Sequence, residues 1–355
     1  MASQRPAANL SAIAAALGVS GATVSNALSG KGRVSAELTE KIRKKAAELG
    51  YVPSSAGRAL RTGRSGVLGL VLPDIANPLF PQIAQAIEQA AADAGYGVLI
   101  ADSHGDVAKQ TEAINRLIER GVEGMIVVPR RGTRIADVDC PVAVIDSPST
   151  PGNTVAADHW GGGQAIGRHL AGLGHEKVVI IAKNPDSNVQ NDRVGGIRAG
   201  LSASAKTETL WIAPLEQREG AGCRLGVADK VAQGFTAFAA VSDLHALRVL
   251  TELQQEGISV PEQASVTGFD DLIWAPVVTP ALTTIRMDMA RIADTAITAL
   301  VRVIDGEDPP DRSASGGVVA DISKVAMELI IRRSTASNNQ KQNEDKTSTA
   351  GELTS

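Results

Sequence analysis

From Val67 to about Arg333 the sequence alternates short apolar runs with segments of helical spacing, a pattern that few folds can absorb. The runs VLGLVLP, YGVLIAD, GMIVVP, VAVID, TVAAD, KVVIIA, TLWIA, FTAFAAV and ASVTGFD read as strands. Between them Ile83, Ile87 and Ala90, then Ile114, Leu117 and Ile118, then Ile166 and Leu170, then Leu247 and Leu250 recur at the spacing of one helix face. Strands apolar on both faces must be covered on both, so the pattern predicts parallel sheets wrapped by helices, and its length suits two doubly wound lobes. Ligands in such folds lie beyond the carboxyl ends of the strands, where this chain has Asp74, Asn77, Asp102, Asp146, Ser242 and Asp270. Arg130, Arg131 and Lys183 also follow strands and read as solvated surface, although an anion would suit them.

The formal charge of −4 on 355 residues conceals a division. Residues 1–66 hold ten basic and three acidic side chains, +7, which leaves −11 on everything that follows. A basic segment of domain size is the electrostatic footprint of a phosphate-binding partner. Its apolar residues are periodic, unlike those of a solvated tail. Leu10, Ile13, Ala14 and Leu17 mark one helix, with Asn9 or Ser11 as cap and Gly18 as stop. Ser20 caps a second that buries Val24 and Leu28. Ser35 caps a third that carries Glu37 and Glu40 early and buries Leu38, Ile42, Ala46 and Leu49. The first two form a helix-turn-helix pattern.

These segments resemble the lactose-repressor (LacI/GalR) family of bacterial transcription regulators. The resemblance rests on LGVSGATVSNAL, GKGRVS, LGYVP, RALRTGRSG and VLGLVLPDIANPLF, and continues through GHEKVVIIA, VPEQASVTGFDD, TPALTTI and MELIIRRS. It implies a helix-turn-helix domain at residues 8–53, a hinge helix and linker at 54–66, and a two-lobed effector-binding and dimerisation core of periplasmic-binding-protein type at 67–333. Residues 334–355, without apolar periodicity, read as a disordered tail. The resemblance also implies chain crossings between lobes near 158–163, 284–289 and 316–320.

On this resemblance Gly21, Ala22 and Asn26 face base edges in the major groove, where Asn26 suits adenine. Ser20, Thr23, Ser25 and Ser35 reach phosphates, with helix capping an equally good reading for Ser20 and Ser35. Arg33 meets phosphate or a base, and Arg58 and Leu60 lie in the hinge, Leu60 as a minor-groove wedge. The effector residues it implies are Asp146, Arg193, Ser242 and Asp270, with Asp74, Asn77, Phe80 and Trp274 lining the cleft. Taken singly, Phe80, Trp160 and Trp274 each read as core residues before ligand platforms.

The function expected is therefore a repressor controlled by a small sugar or sugar derivative, acting as a homodimer on a near-palindromic double-stranded operator. A co-repressor-dependent or activating regulator is the alternative, and a sugar-binding protein without DNA function a remoter one. The string Gly161-Gly162-Gly163 does not fit GxGxxG, no GxSxG or Walker motif occurs, and the five histidines lack metal-ligand spacing, so neither an enzyme nor a cofactor is expected. No leader sequence and no run of 18 apolar residues appear, which points to the cytoplasm and away from the membrane. Cys140 and Cys223 read as small core residues.

Overall fold

The computed structural model describes residues 9–29, 32–51, 63–133, 135, 138, 140–145, 154–307 and 323–338. The chain divides into two compact units, Met1–Gly66 and Val67–Ser355. In the first unit, helix α1 (Leu10–Leu17) starts where the Asn9 side chain accepts from the Ala12 amide at 2.9 Å. It ends on Gly18, whose φ of 65° is the left-handed conformation glycine adopts freely. Helix α2 (Gly21–Ser29) follows at 108° to α1, and α3 (Ala36–Glu48) opens on the Ser35 hydroxyl, which accepts from the Leu38 amide. Ile13, Val24 and Ile42, one from each helix, are fully buried and form the centre with Ala14, Ala27 and Ala46. Leu49, expected inside, is exposed, because the chain turns at Gly50 and brings Tyr51 against this core instead.

The second unit has two lobes. In lobe 1, strands β1 (Val67–Leu72), β2 (Gly97–Asp102), β3 (Gly124–Val127) and β4 (Val142–Val144) form a parallel sheet in the order β2-β1-β3-β4. A parallel bridge from Ile145 to Val155 extends it to β5 (Val155–Ala157), which pairs with β11 (Ser323–Val325). Helices α4 (Leu79–Asp93) and α11 (Met289–Ile304) cover one face of this sheet, and α5 (Val107–Glu119) the other.

Lobe 2 repeats the plan. Strands β6 (Lys177–Ala182), β7 (Lys206–Trp211), β8 (Ala237–Ala240) and β9 (Ser265–Thr267) run parallel in the order β7-β6-β8-β9. A bridge from Thr267 to Thr283 leads on towards β10 (Thr284–Met287), which pairs antiparallel with β12 (Met327–Ile330). Helices α6 (His159–Gly172) and α7 (Asn188–Gly200) pack on one face, and α8 (Ile212–Glu219), α9 (Val227–Ala232) and α10 (Asp243–Gln255) on the other. The expected strand TLWIA is displaced: the strand ends at Trp211, and Ile212 and Ala213 open α8.

Gly163 of the glycine string belongs, with Gly167, Gly196 and Gly200, to a close helix contact. A Cβ on Gly167 would stand 2.2 Å from the Ile197 carbonyl, and one on Gly196 would stand 2.1 Å from the Trp160 carbonyl. Only glycine lets the α6 and α7 backbones touch there, and that contact sets where α7 places Arg193.

Among the described residues the chain crosses between lobes three times. It passes from β5 into α6 at Asp158, from β10 into α11 at Asp288, and from β11 to β12 at Ala326. The third crossing differs from the expected 316–320, which lies outside the described residues. The three are neighbours, since Val325 pairs with Ala157 and Met327 with Met287. The core also runs past Arg333. Ser334 is fully buried, its hydroxyl donating to the Val266 carbonyl at 2.6 Å and accepting from the Thr283 amide. Ala336 bonds Ser265, and Asn338 bonds Leu173. Residues 334–338 are thus a strap on lobe 2, ordered by hydroxyl and backbone pairing that hydrophobic periodicity does not register. Cys140 and Cys223 are both half-buried, and Cys140 packs against the core of lobe 1.

Candidate functional site

A cleft of about 1150 Å³ opens at the carboxyl ends of the strands of both lobes. Lobe 2 supplies a buried polar wall. Arg193 and Asp270, each 4% exposed, form an ion pair with Nη1 2.9 Å from Oδ1. Nη1 also donates to the Val241 carbonyl at 2.8 Å. The guanidinium lies 3.9 Å over the Phe269 ring, and its Nε donates to Nδ1 of His159 at 3.3 Å. His159 accepts at Nδ1 and is neutral: burial first, then Arg193, hold its pKa well below the usual imidazole value. Burial raises the Asp270 pKa, and Arg193 opposes the rise.

The turn that aims Asp270 is strained and firmly held. Asp270 has φ 104° and Asp271 φ 48°, conformations non-glycine residues rarely adopt. The Asp243 carboxylate accepts from the Leu272 amide at 2.7 Å and from the Thr284 hydroxyl at 2.6 Å, while Asp271 pairs with Arg286 and Arg332, both at 2.7 Å. Burial, then the nearby Asp270, raise the Asp243 pKa to about 7. Ser242 caps α10, accepting from the Leu244 amide. His245 follows in the same turn and also lines the cleft, its Nδ1 buried without a partner among the described residues. Burial, then Lys183, Arg193 and Arg248, lower its pKa to about 4.

Lobe 1 supplies a more open wall. Asp74 and Asn77 line it, their side chains accepting from the Ala76 and Leu79 amides in the turn that enters α4, and Phe80 projects from the first turn of that helix. Arg130 and Arg131 line the cleft from lobe 1 and Lys183 from lobe 2, so none of the three is mere outer surface. Trp274 is not among the lining residues. It is 39% exposed, beside the exposed Ile273 and Val277, while Leu272 and Ala275 of the same turn are buried. Asp102 also does not line the cleft and pairs with His104. Asp146 lies outside the described residues. Trp160 packs against Gly195 and is 46% exposed. His159, Asp243 and His245 were missed by sequence reasoning. Only the positions of His159 just after β5, and of Asp243 and His245 just after β8, could have flagged them.

In the first unit Gly21, Ala22, Asn26 and Arg33 are exposed, as are Ser20 and Ser35. Ser20 caps α2, its hydroxyl accepting from the Thr23 amide at 3.1 Å and meeting the Thr23 hydroxyl at 2.8 Å. Gly32 packs against the Asn26 side chain, and Ser25 is half-buried. Arg58 and Leu60 lie outside the described residues.

Residues 9–54 match the model of the lacI family of bacterial regulatory proteins, and residues 168–335 that of a periplasmic binding protein-like domain. The chain is 30% identical over 286 residues to the HTH-type transcriptional regulator DegA of Bacillus subtilis, covering 77% of this chain and 84% of that protein. The chain belongs to the lacI family of bacterial regulatory proteins. This lacI-family chain is also 28% identical over 295 residues to the ribose operon repressor of Haemophilus influenzae, covering 81% and 89% of the two. The fold is that of the lac repressor dimer solved with operator and an anti-inducer, at a TM-score of 0.75 and 23% identity, covering 93% of this chain and all of that one. Among the described residues no group of His, Cys, Asp and Glu could hold a metal, and no single helix is long and apolar enough to cross a membrane.

Proposed function

We propose that this lacI-family regulator is a repressor whose grip on its operator is controlled by a small sugar or sugar derivative bound between the two lobes of its core, and that it acts in the cytoplasm without catalysis. The observation that carries the reading is the cleft at the strand ends, with the Arg193–Asp270 pair in its wall, in a chain that also carries a helix-turn-helix unit. A carboxylate and a guanidinium together bond neighbouring hydroxyls, and the relative named a ribose operon repressor supports a sugar. The division into a DNA-binding unit at 8–53, a hinge and linker at 54–66 and an effector core from 67 onward follows the same logic. Base readout falls to Gly21, Ala22 and Asn26, phosphate contact to Ser20, Thr23, Ser25, Arg33, Ser35 and Arg58, and the minor-groove wedge to Leu60. Exposed apolar side chains at Leu99, Ile100, Ile273 and Val277 suit a second copy of the chain, as in the lac repressor dimer.

Fluorescence anisotropy with a selected near-palindromic duplex tests the reading. Specific binding should weaken steeply with salt. Asn26→Ala should cost about 1–3 kcal/mol at one base step. An identified sugar should release the wild type and leave the Arg193→Ala complex bound. No sequence-specific binding, or release that ignores Arg193, would overturn the proposal.

A further inference from the structure

Four cations, Arg130, Arg131, Lys183 and Arg193, and four carboxylates, Asp74, Asp106, Asp186 and Asp270, line the cleft, and of the cations only Arg193 is ion-paired among the described residues. Arg130 and Arg131 follow β3 in lobe 1 and Lys183 follows β6 in lobe 2; all three line the cleft, and none makes an ion pair or side-chain hydrogen bond among the described residues. The cleft carboxylates of Asp74, Asp106 and Asp270 are engaged. Asp74 accepts from the Ala76 amide, Asp106 caps α5 by accepting from the Lys109 amide, and Asp270 is paired with Arg193. Asp186 is exposed at the rim, and the charge of Arg130 acts through space on Asp106 and that of Lys183 on Glu216, without an ion-pair contact.

The loops bearing these cations are held by the same device in both lobes. Gln110, fully buried in α5, accepts from the Arg130 amide at 2.9 Å while donating to the Val128 carbonyl at 3.0 Å. Gln190 in α7 accepts from the Lys183 amide at 2.7 Å and the Asn184 amide at 3.1 Å. Each glutamine fixes the path of the chain at a cation, which a merely solvated lysine or arginine does not require. The first turns of α5, α7 and α10 also line this space, and the positive ends of their dipoles point the same way. The buried, unpartnered Nδ1 of His245 adds a neutral group able to donate one hydrogen bond.

We propose that the effector is an anionic sugar derivative, carrying a phosphate or carboxylate, and that Arg130 and Lys183 grip the anion from opposite lobes. This rests on the cleft being the effector site. It is tested by calorimetry and thermal shift on the full chain with matched sets of neutral sugars, their monophosphates and their aldonic or uronic acids, with inorganic phosphate as the bare-anion probe. A charged member should bind about tenfold or more tightly than its neutral parent. Lys183→Ala and Arg130→Gln should each remove most of that advantage, Lys183→Arg should keep it, and rising salt should erode it. The arm that responds tells phosphate from carboxylate. Neutral parents binding as tightly as charged members, no charged member binding, or the two variants behaving as wild type would each overturn the proposal. Operator binding of the ligand-free protein, measured in parallel, separates this failure from failure of the regulator reading.

Discussion

The two walls of the cleft are built differently. In lobe 2, Arg193, His159, Asp270 and Asp243 are buried and tied to one another or to backbone, with a strained turn at Asp270 held by three side chains. In lobe 1, Asp74, Asn77, Phe80 and Arg130 are partly exposed, and the first two serve the turn into α4. One wall is therefore part of the folding core and the other is surface that a ligand must organise. Substitutions in the first should be felt in stability as well as affinity, and in the second mainly in affinity.

Arg193→Ala is the harshest way to break that comparison. It strands the Asp270 carboxylate in a buried site and should cost about 3–5 kcal/mol in chemical denaturation of the core. A smaller cost than for a surface arginine such as Arg218 would show that the wall is not pre-built. Gly167→Ala comes next, at about 1–3 kcal/mol, because the added methyl meets the Ile197 carbonyl and pushes α7, with Arg193, away from α6. Ligand affinity should fall with stability in this variant even though the residue never touches ligand.

The pH dependence should likewise belong to lobe 2. Burial holds the His175 pKa down to about 4, where Thr236 and Ser265 bond its ring, against about 6.5 in the unfolded chain. The unfolded state thus binds a proton that the folded state refuses. The stability this ring confers at neutral pH is lost as pH falls from about 6.5 to 4. The stability gap between wild type and His175→Asn should narrow by about 1–2 kcal/mol from pH 7 to 5. A constant gap would place the ring outside the folded network. Phe80→Ala is the mildest, at about 1 kcal/mol of stability for a half-buried ring, with a proportionally larger loss of ligand binding.

The sequence conveyed the alternation of elements because burial on both faces of a sheet leaves an apolar run that nothing else explains. Caps at Asn9, Ser20 and Ser35 were legible because their chemistry is local. Arg193 and Asp270 came from resemblance and strand ends, and the cleft brings both together. Trp274 failed because exposure depends on which way the turn after Asp270 faces, a tertiary matter. Gln110 and Gln190 were invisible for a related reason: each acts on the backbone of a loop outside its own helix, through a carbonyl oxygen that any surface glutamine also has. Residues 334–338 carry no periodicity, yet their hydroxyl and backbone groups complete the rim of a sheet.

The three neighbouring crossings at Asp158, Asp288 and Ala326 have a mechanical consequence. Parallel straps in a narrow strip resist stretching and sliding together while bending together easily. Such a strip favours rotation of one lobe on the other about a single axis over sliding or stretching, so an occupant of the cleft is most readily reported as an angle.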